Sequence, residues 1–190
     1  MEGTKALAGF YESFDNGVGI LNHTWGSVDT SVAGEITLRG NSGAMQRPWS
    51  ADVGNGYGRY EVTAKMSADQ AGPAALLWPA DDKWPGPEYD IVEVLNGTPY
   101  GVVHWKDGGG WDSYESRWFN GVDETQVHKY AIEWREGRID FFIDGQHYGT
   151  VDHNVGADYA HGGVNSVMSM MNSNHNTFLT VYDVSYSPFG

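Results

Sequence analysis

Apolar residues in this chain recur at every second position, and this period dictates strands. Gly58, Tyr60, Val62, Ala64 and Met66 alternate with Arg59, Glu61, Thr63 and Lys65, and Tyr130, Ile132 and Trp134 alternate with Lys129, Ala131, Glu133 and Arg135. Such alternation turns one face to a core and the other to water, as in half-buried antiparallel strands. Ile139, Phe141 and Ile143 lead into Asp144 and Gly145, a hairpin signal, and the chain returns through His147, Gly149 and Val151. Further strands are expected over 35–39, 74–78, 88–95, 100–105, 114–119, 166–172 and 177–184. No segment carries a convincing helical period, and 26 glycines cut the chain into short pieces. The fold class is all-β, and ten or more strands at this spacing indicate a two-sheet sandwich or jelly roll.

At 190 residues, with no linker, repeat or low-complexity tract, the chain reads as a single domain over 1–190. Having no cysteine, it can form no disulfide and use no thiolate. No run approaches the ~20 apolar residues of a membrane span, and Met1, Glu2, Gly3, Thr4 and Lys5 lack the pattern of a secretory leader. An extracellular location is expected, with the signal peptide outside this chain. The net charge of −14 opposes nucleic acid and anionic membrane as partners, because both are bound through Lys and Arg, of which there are 11. Eight Trp, eleven Tyr and seven Phe exceed what a core of this size requires, so some are expected as flat platforms for sugar rings.

The chemistry concentrates in WPGPEYDIVEV, from Trp84 to Val94, where Glu88, Asp90 and Glu93 interrupt a segment that otherwise reads as a buried strand. Alternation puts Glu88 and Asp90 on one face and Tyr89 and Ile91 on the other, leaving Glu93 out of phase. One extra residue at Ile91 or Val92, a β-bulge, returns Glu93 to the acidic face and buries the remaining apolar side chains. Glu88 and Glu93 are then effectively four apart, about 13 Å between Cα atoms. Allowing for side-chain reach, their carboxyls stand about 5 to 7 Å apart, a span that touches the ranges of both retaining and inverting glycosidases. In so acidic a chain, three acids at this spacing arise about 0.4 times by chance, so the argument rests on context. Carboxylates interleaved with core residues are costly to bury without a use. Crowding keeps the three from ionising together, and Glu93 is expected to hold its proton to higher pH than Glu88.

His104, on the 100–105 strand, is placed to hydrogen-bond a catalytic carboxylate or a sugar hydroxyl, or to serve a purely structural role. Lys106 to Trp111 contains three successive glycines and reads either as a loop that closes over a bound chain or as a surface turn. The seven histidines show no metal-ligand spacing, and no loop resembles an EF-hand.

Three motifs, in order, give the chain a strong resemblance to glycoside hydrolase family 16, the superfamily of laminarinases, lichenases and agarases. YGRYEVTAKM at 57–66 resembles that family's Y-G-R-F-E-V-R-A-K strand. EYDIVE at 88–93 resembles the bulged form of its E-x-D-x-x-E signature. HKYAIEWREGRIDFFIDGQ at 128–146 is similar to its H-x-Y-x-x-x-W…I-x-F-x-x-D-G hairpin. GPAALLWP at 72–79 is similar to a bacterial subgroup related to exopolysaccharide depolymerases and β-glucanases. The resemblance implies a concanavalin-like β-jelly-roll sandwich of two antiparallel sheets with a concave substrate cleft. It also implies a retaining endo-acting hydrolase in which Glu88 is the nucleophile, Asp90 the assisting carboxylate and Glu93 the acid/base. Some relatives bind a structural calcium through an Asp in the C-terminal strand; here Asp183 would serve, with Glu12 or Asp15 as partner, while catalysis itself needs no cofactor.

The expected function is hydrolysis of β-1,3 or mixed β-1,3/1,4 glucan by a monomeric enzyme whose partner is its polysaccharide substrate. Trp84, Trp105, Trp111 and Trp118 are the candidate platforms, and Arg59 and His104 the candidate polar contacts. The rival readings are a non-catalytic, lectin-like carbohydrate-binding module, a hydrolase of another polysaccharide such as a bacterial exopolysaccharide or agar, and a polysaccharide lyase. The intact acid triad opposes the binding module, since a lectin gains nothing from clustered like charges. A lyase should need a cationic cleft for uronates, and the proposed active strand is acidic.

Overall fold

The computed structural model describes residues 8–67 and 70–189; the run Met1–Lys5 lies outside them. Thirteen strands form: β1 (Phe10–Glu12), β2 (His23–Asp29), β3 (Ile36–Met45), β4 (Gly58–Met66), β5 (Pro73–Pro79), β6 (Glu88–Leu95), β7 (Thr98–Lys106), β8 (Asp112–Trp118), β9 (His128–Arg135), β10 (Arg138–Ile143), β11 (Gln146–Val151), β12 (Ser166–Asn172) and β13 (Phe178–Pro188). The sole helical element among the described residues is a 3-10 turn at Tyr159–His161. Among the described residues no helix is long and apolar enough to cross a membrane.

All pairing is antiparallel, and the hydrogen-bonded order β11-β10-β9-β4-β13-β3-β12-β5-β6-β7-β8 runs through both layers of the jelly-roll sandwich without a break. β3 carries it across. Ile36 to Arg39 pair with β13 in the back layer, whereas Ser42 to Met45 pair with β12 in the layer that carries the acids. Between them Gly40 adopts φ +64°, and Gly26 on the companion strand β2 does the same where the β2–β3 register shifts. A Cβ at Gly26 would stand 2.1 Å from the carbonyl oxygen of Asn41, so only glycine fits inside this corner. The buried amide of Asn172 braces the bend by donating to the carbonyls of Gly40 and Thr177.

The core lies between the layers. The back layer supplies Tyr60, Val62, Ala64, Met66, Tyr130, Ile132, Trp134, Ile139 and Phe141, and the front layer supplies Ala75, Leu77, Tyr89, Ile91, Val92, Val94, Val103, Met168 and Met170. The strand over 35–39 inferred from the sequence is only the back-layer half of β3; GNSGAM reads as a turn yet continues as strand round the corner. β1 and β2 gave no alternating signal because they flank the sheets with mostly exposed side chains.

Candidate active site

The register of β6 against its neighbours builds the site. Asn96 and Gly97, with φ +51° and +71°, make a two-residue turn that pairs Leu95 with Thr98, and Glu93 consequently faces Tyr100. The register then slips by one residue between Glu93 and Asp90, so that Asp90 lies opposite Val102 and Glu88 opposite His104. The slip recurs against β5, where Val92 pairs with Ala75 and Asp90 with Leu76, leaving Ile91 as the extra residue. Ile91 and Val92 both enter the core. The bulge therefore sits where the sequence demanded it, and all three acids share the face turned away from the core.

Without this slip, counting back from the turn would set Trp105 opposite Glu88. With it, His104 takes that place and Trp105 turns inward, packing against the core with its indole edge-on to His153. Trp105 thus leaves the acidic face, and with Trp84 it lines a neighbouring hollow instead. Arg59 is also displaced from the expected set: it stands on the outer side of the back layer, opposite buried Tyr60 in phase, bonded to Glu61 and Glu133 and lying over the Phe142 ring.

His104 is held between two acids. Its Nδ1 lies 3.0 Å from Asp112 on β8, and its Nε2 lies 3.5 Å from Asp90. Tyr100 donates its hydroxyl proton to Glu93 at 2.5 Å; burial, with the adjoining Glu93 acting in the same sense, pushes Tyr100 up and keeps it a donor. Asp90 is 1% exposed and Glu88 is 8% exposed. Burial pushes Glu88 up to about 9, reinforced by repulsion from Asp90 and by proton sharing with it, and opposed by His104. Asp90 is likewise raised well above the ordinary carboxylate range by burial and then by Glu93. Their contact falls short of a regular hydrogen bond, and Oδ1 of Asp90 has no regular donor. In the unliganded site burial therefore favours the protonated forms of Glu88 and Asp90, and crowding acts in the same sense.

Aromatic rings floor the groove. Trp84, 45% exposed, stacks on Trp78 at 5.5 Å and meets His104 edge-on at 5.4 Å. Tyr114 lies 5.6 Å from His104, and Trp118 lies 4.8 Å from Tyr100. Glu93, Tyr100, His104, Tyr114, Ser116 and Trp118 line a trough of about 290 Å³ beside the acids. Trp84 and Trp118 thus hold the positions expected of platforms, whereas Trp111, 75% exposed, stands on the β7–β8 hairpin with no ring partner among the described residues. That hairpin is tied by the Asp107 carboxylate, which accepts from the amides of Gly109 and Trp111. Tyr100, Asp112, Tyr114 and Trp78 were not anticipated. The Asn96-Gly97 turn was the signal for Tyr100, since it fixes which β7 residue faces Glu93.

The residues considered for calcium each accept local hydrogen bonds. The Glu12 carboxylate accepts from the amides of Phe14 and Ile20, Asp15 accepts from the Ser13 hydroxyl, and Asp183 accepts from Thr63 on β4. Among the described residues, no convergence of three His, Asp or Glu side chains includes them.

The sequence profile of glycosyl hydrolases family 16 matches residues 22–186, which takes in both layers and the acid-bearing strand. The chain belongs to that family. Two curated relatives, both from Rhizobium meliloti, are named endo-1,3-1,4-beta-glycanases. ExsH is 31% identical over 130 residues, 66% of this chain and 27% of the relative; EglC is 38% identical over 92 residues, 46% of this chain and 19% of the relative. The chain thus matches only about a quarter of the length of one relative and a fifth of the other. The solved β-glucanase of Bacillus licheniformis superposes with a TM-score of 0.67 at 20% identity, over 97% of this chain and all of that one, so this family 16 domain shares its sandwich fold.

Proposed function

We propose that this family 16 domain is an endo-acting β-glycan hydrolase that retains anomeric configuration, and that it cleaves β-1,3 or mixed β-1,3/1,4 glucan. The observation that carries the reading is the bulge in β6, which brings Glu93 onto the groove face with Glu88 and Asp90. The activities that name the two Rhizobium meliloti relatives support the substrate class. Glu88 attacks the anomeric carbon while Glu93 passes its proton to the departing glycosidic oxygen; Glu93 then takes a proton from water, whose oxygen displaces Glu88. The reactive form needs Glu88 ionised, so the proton it holds at rest must leave it as the substrate enters. The adjacent His104, which opposes the rise in Glu88, is the group that compensates the resulting charge. The domain works as a monomer outside the cell and uses no cofactor in the chemistry, and any calcium bound through Asp183 with Glu12 or Asp15 is structural.

Incubating the protein with a polysaccharide panel tests this. β-1,3 or mixed-linkage glucan should yield oligosaccharides with a rapid fall in polymer size, and proton NMR should show the β-anomer first. First-formed α-anomer would reverse the stereochemical reading, and inertness towards every β-glycan would restore the binding-module alternative.

Stacking supplies binding rather than bond chemistry, so Trp84→Ala should raise KM for polysaccharide by about 10-fold with a smaller change in kcat, a loss of about 1.4 kcal/mol. Trp111→Ala should have the smaller effect, because no contact ties its ring to the acids. Steady-state kinetics on soluble glucan checks both.

A further inference from the structure

We propose that the same groove holds a binding site for a borderline divalent cation, with Zn²⁺ as its type, formed by Glu88, Asp90 and His104, and that metal and polysaccharide exclude one another there. One ligand atom from each of the three lies within 4.8 Å of the others, the one such convergence of three His, Asp or Glu side chains among the described residues.

Three independent features point to a cation rather than to acids merely crowded together. The Nε2 of His104 stands 3.5 Å from Oδ2 of Asp90. A tetrahedron with Zn–ligand arms of about 2.0–2.1 Å has edges of about 3.3–3.4 Å, so this pair already spans one edge. The other nitrogen, Nδ1, is bonded to the Asp112 carboxylate at 3.0 Å. A metal-ligating histidine almost always gives its remaining N–H to a carboxylate in this way, which fixes the ring and leaves the other nitrogen's lone pair free for the ion. Finally, Oδ1 of Asp90, on the carboxylate whose Oδ2 faces His104, is buried without a hydrogen-bond partner, an acceptor that a cation held by this carboxylate would satisfy. Three protein ligands with the groove side open leave a fourth position for water, the composition of an open rather than a structural zinc site.

The other histidine–acid contacts do not build such a site. His128 with Asp144, His147 with Asp140 and His161 with Asp158 offer one acid each, and His153 with Glu115 and Asp152 forms no group of three within reach. The consequence for turnover rests on the function proposed above. A metal on Glu88 occupies the lone pair that attacks the anomeric carbon, so the loaded protein is an inactive state, released by chelation.

Binding is read without turnover, by calorimetric titration of metal-free protein with ZnCl₂ and by the visible absorption of Co²⁺ added in its place. One ion per chain is expected, with His104→Ala weakening affinity by about 30-fold or more and Asp112→Asn, which removes only the orienting carboxylate, by about 10-fold. Glu93→Gln, outside the ligand set, should weaken it far less than His104→Ala. His104→Gln, similar in size, serves if the alanine variant fails to fold. Absence of saturable one-to-one binding, or equal affinity in the wild type and both His104 variants, overturns the proposal. Metal binding by a protein that cleaves no β-glycan would leave this site standing and sink the hydrolase reading instead, whereas cleavage unaffected by saturating Zn²⁺ would show that metal and substrate do not compete.

Discussion

Azide should rescue the two glutamate variants to opposite anomers. Glu88→Gly and Glu93→Ala should each lose on the order of 10³-fold or more of polysaccharide cleavage, since each removes a group that forms or breaks a bond. Given a β-glycoside with a good leaving group, Glu88→Gly offers azide an opening on the face the nucleophile had occupied, and direct displacement yields the α-glycosyl azide. Glu93→Ala still forms the covalent intermediate with such a substrate, and azide attacks it to give the β-glycosyl azide. NMR of the products decides between them. Exchanged anomers would reverse the two roles, and wild-type rates in both variants would remove β6 from the mechanism.

The second large effect is on stability and has the opposite sign. Glu88 is pushed up to about 9 when folded, chiefly by burial, against roughly 4.3 in an unfolded chain. A carboxyl raised by folding costs nothing below its unfolded value, where both states are protonated. As pH climbs from about 4 towards 9 the unfolded chain sheds a proton that the folded protein keeps, and stability falls. Glu88→Gln removes this liability while keeping the shape of the protonated acid. In metal-free buffer the variant should be more stable than the wild type by about 2–3 kcal/mol at pH 7, with the difference closing near pH 4. Its melting temperature at pH 7 should rise by about 4–10 °C. Calorimetric melts at the two pH values check this, and a variant less stable than wild type at pH 7 would show that Glu88 is ionised and favourably paired in the resting protein.

Much of this arrangement was legible in the sequence because it is governed by parity. Alternation located the strands of both layers, and the phase error of Glu93 demanded a bulge and named its position. What escaped was register across strands, which parity within one strand does not contain. Asn96-Gly97 fixes one end of the β6–β7 pairing and the bulge fixes the other; read together they place Tyr100 and His104 beside the acids and turn Trp105 inward. Read alone, β7 offers two aromatic side chains in succession with nothing to choose between them. Arg59 failed for a related reason: its outward phase on β4 was plain, but which surface of a two-layer protein that phase addresses depends on the layer, and layer assignment is a long-range fact. Asp112 joins the site only through a histidine eight positions earlier, so no local pattern announces it.

The corner at Gly40 carries a consequence for how the molecule comes apart. Because β3 belongs to both layers, the groove floor and the back wall are lengths of one ladder rather than two plates pressed together. Fraying is free to start at the outer rungs, β8 and β11, but the layers cannot part cleanly without rupturing a strand that both require. Hydrogen exchange should therefore protect the amides of β3, β12 and β13 to nearly the full free energy of global unfolding, with β8 and β11 opening at lower cost. The acid-bearing strand lies three rungs from the end of the ladder on one side and four from the shared strand on the other, counting itself, near enough to the rim to be reached by a polymer and near enough to the seam to be held still.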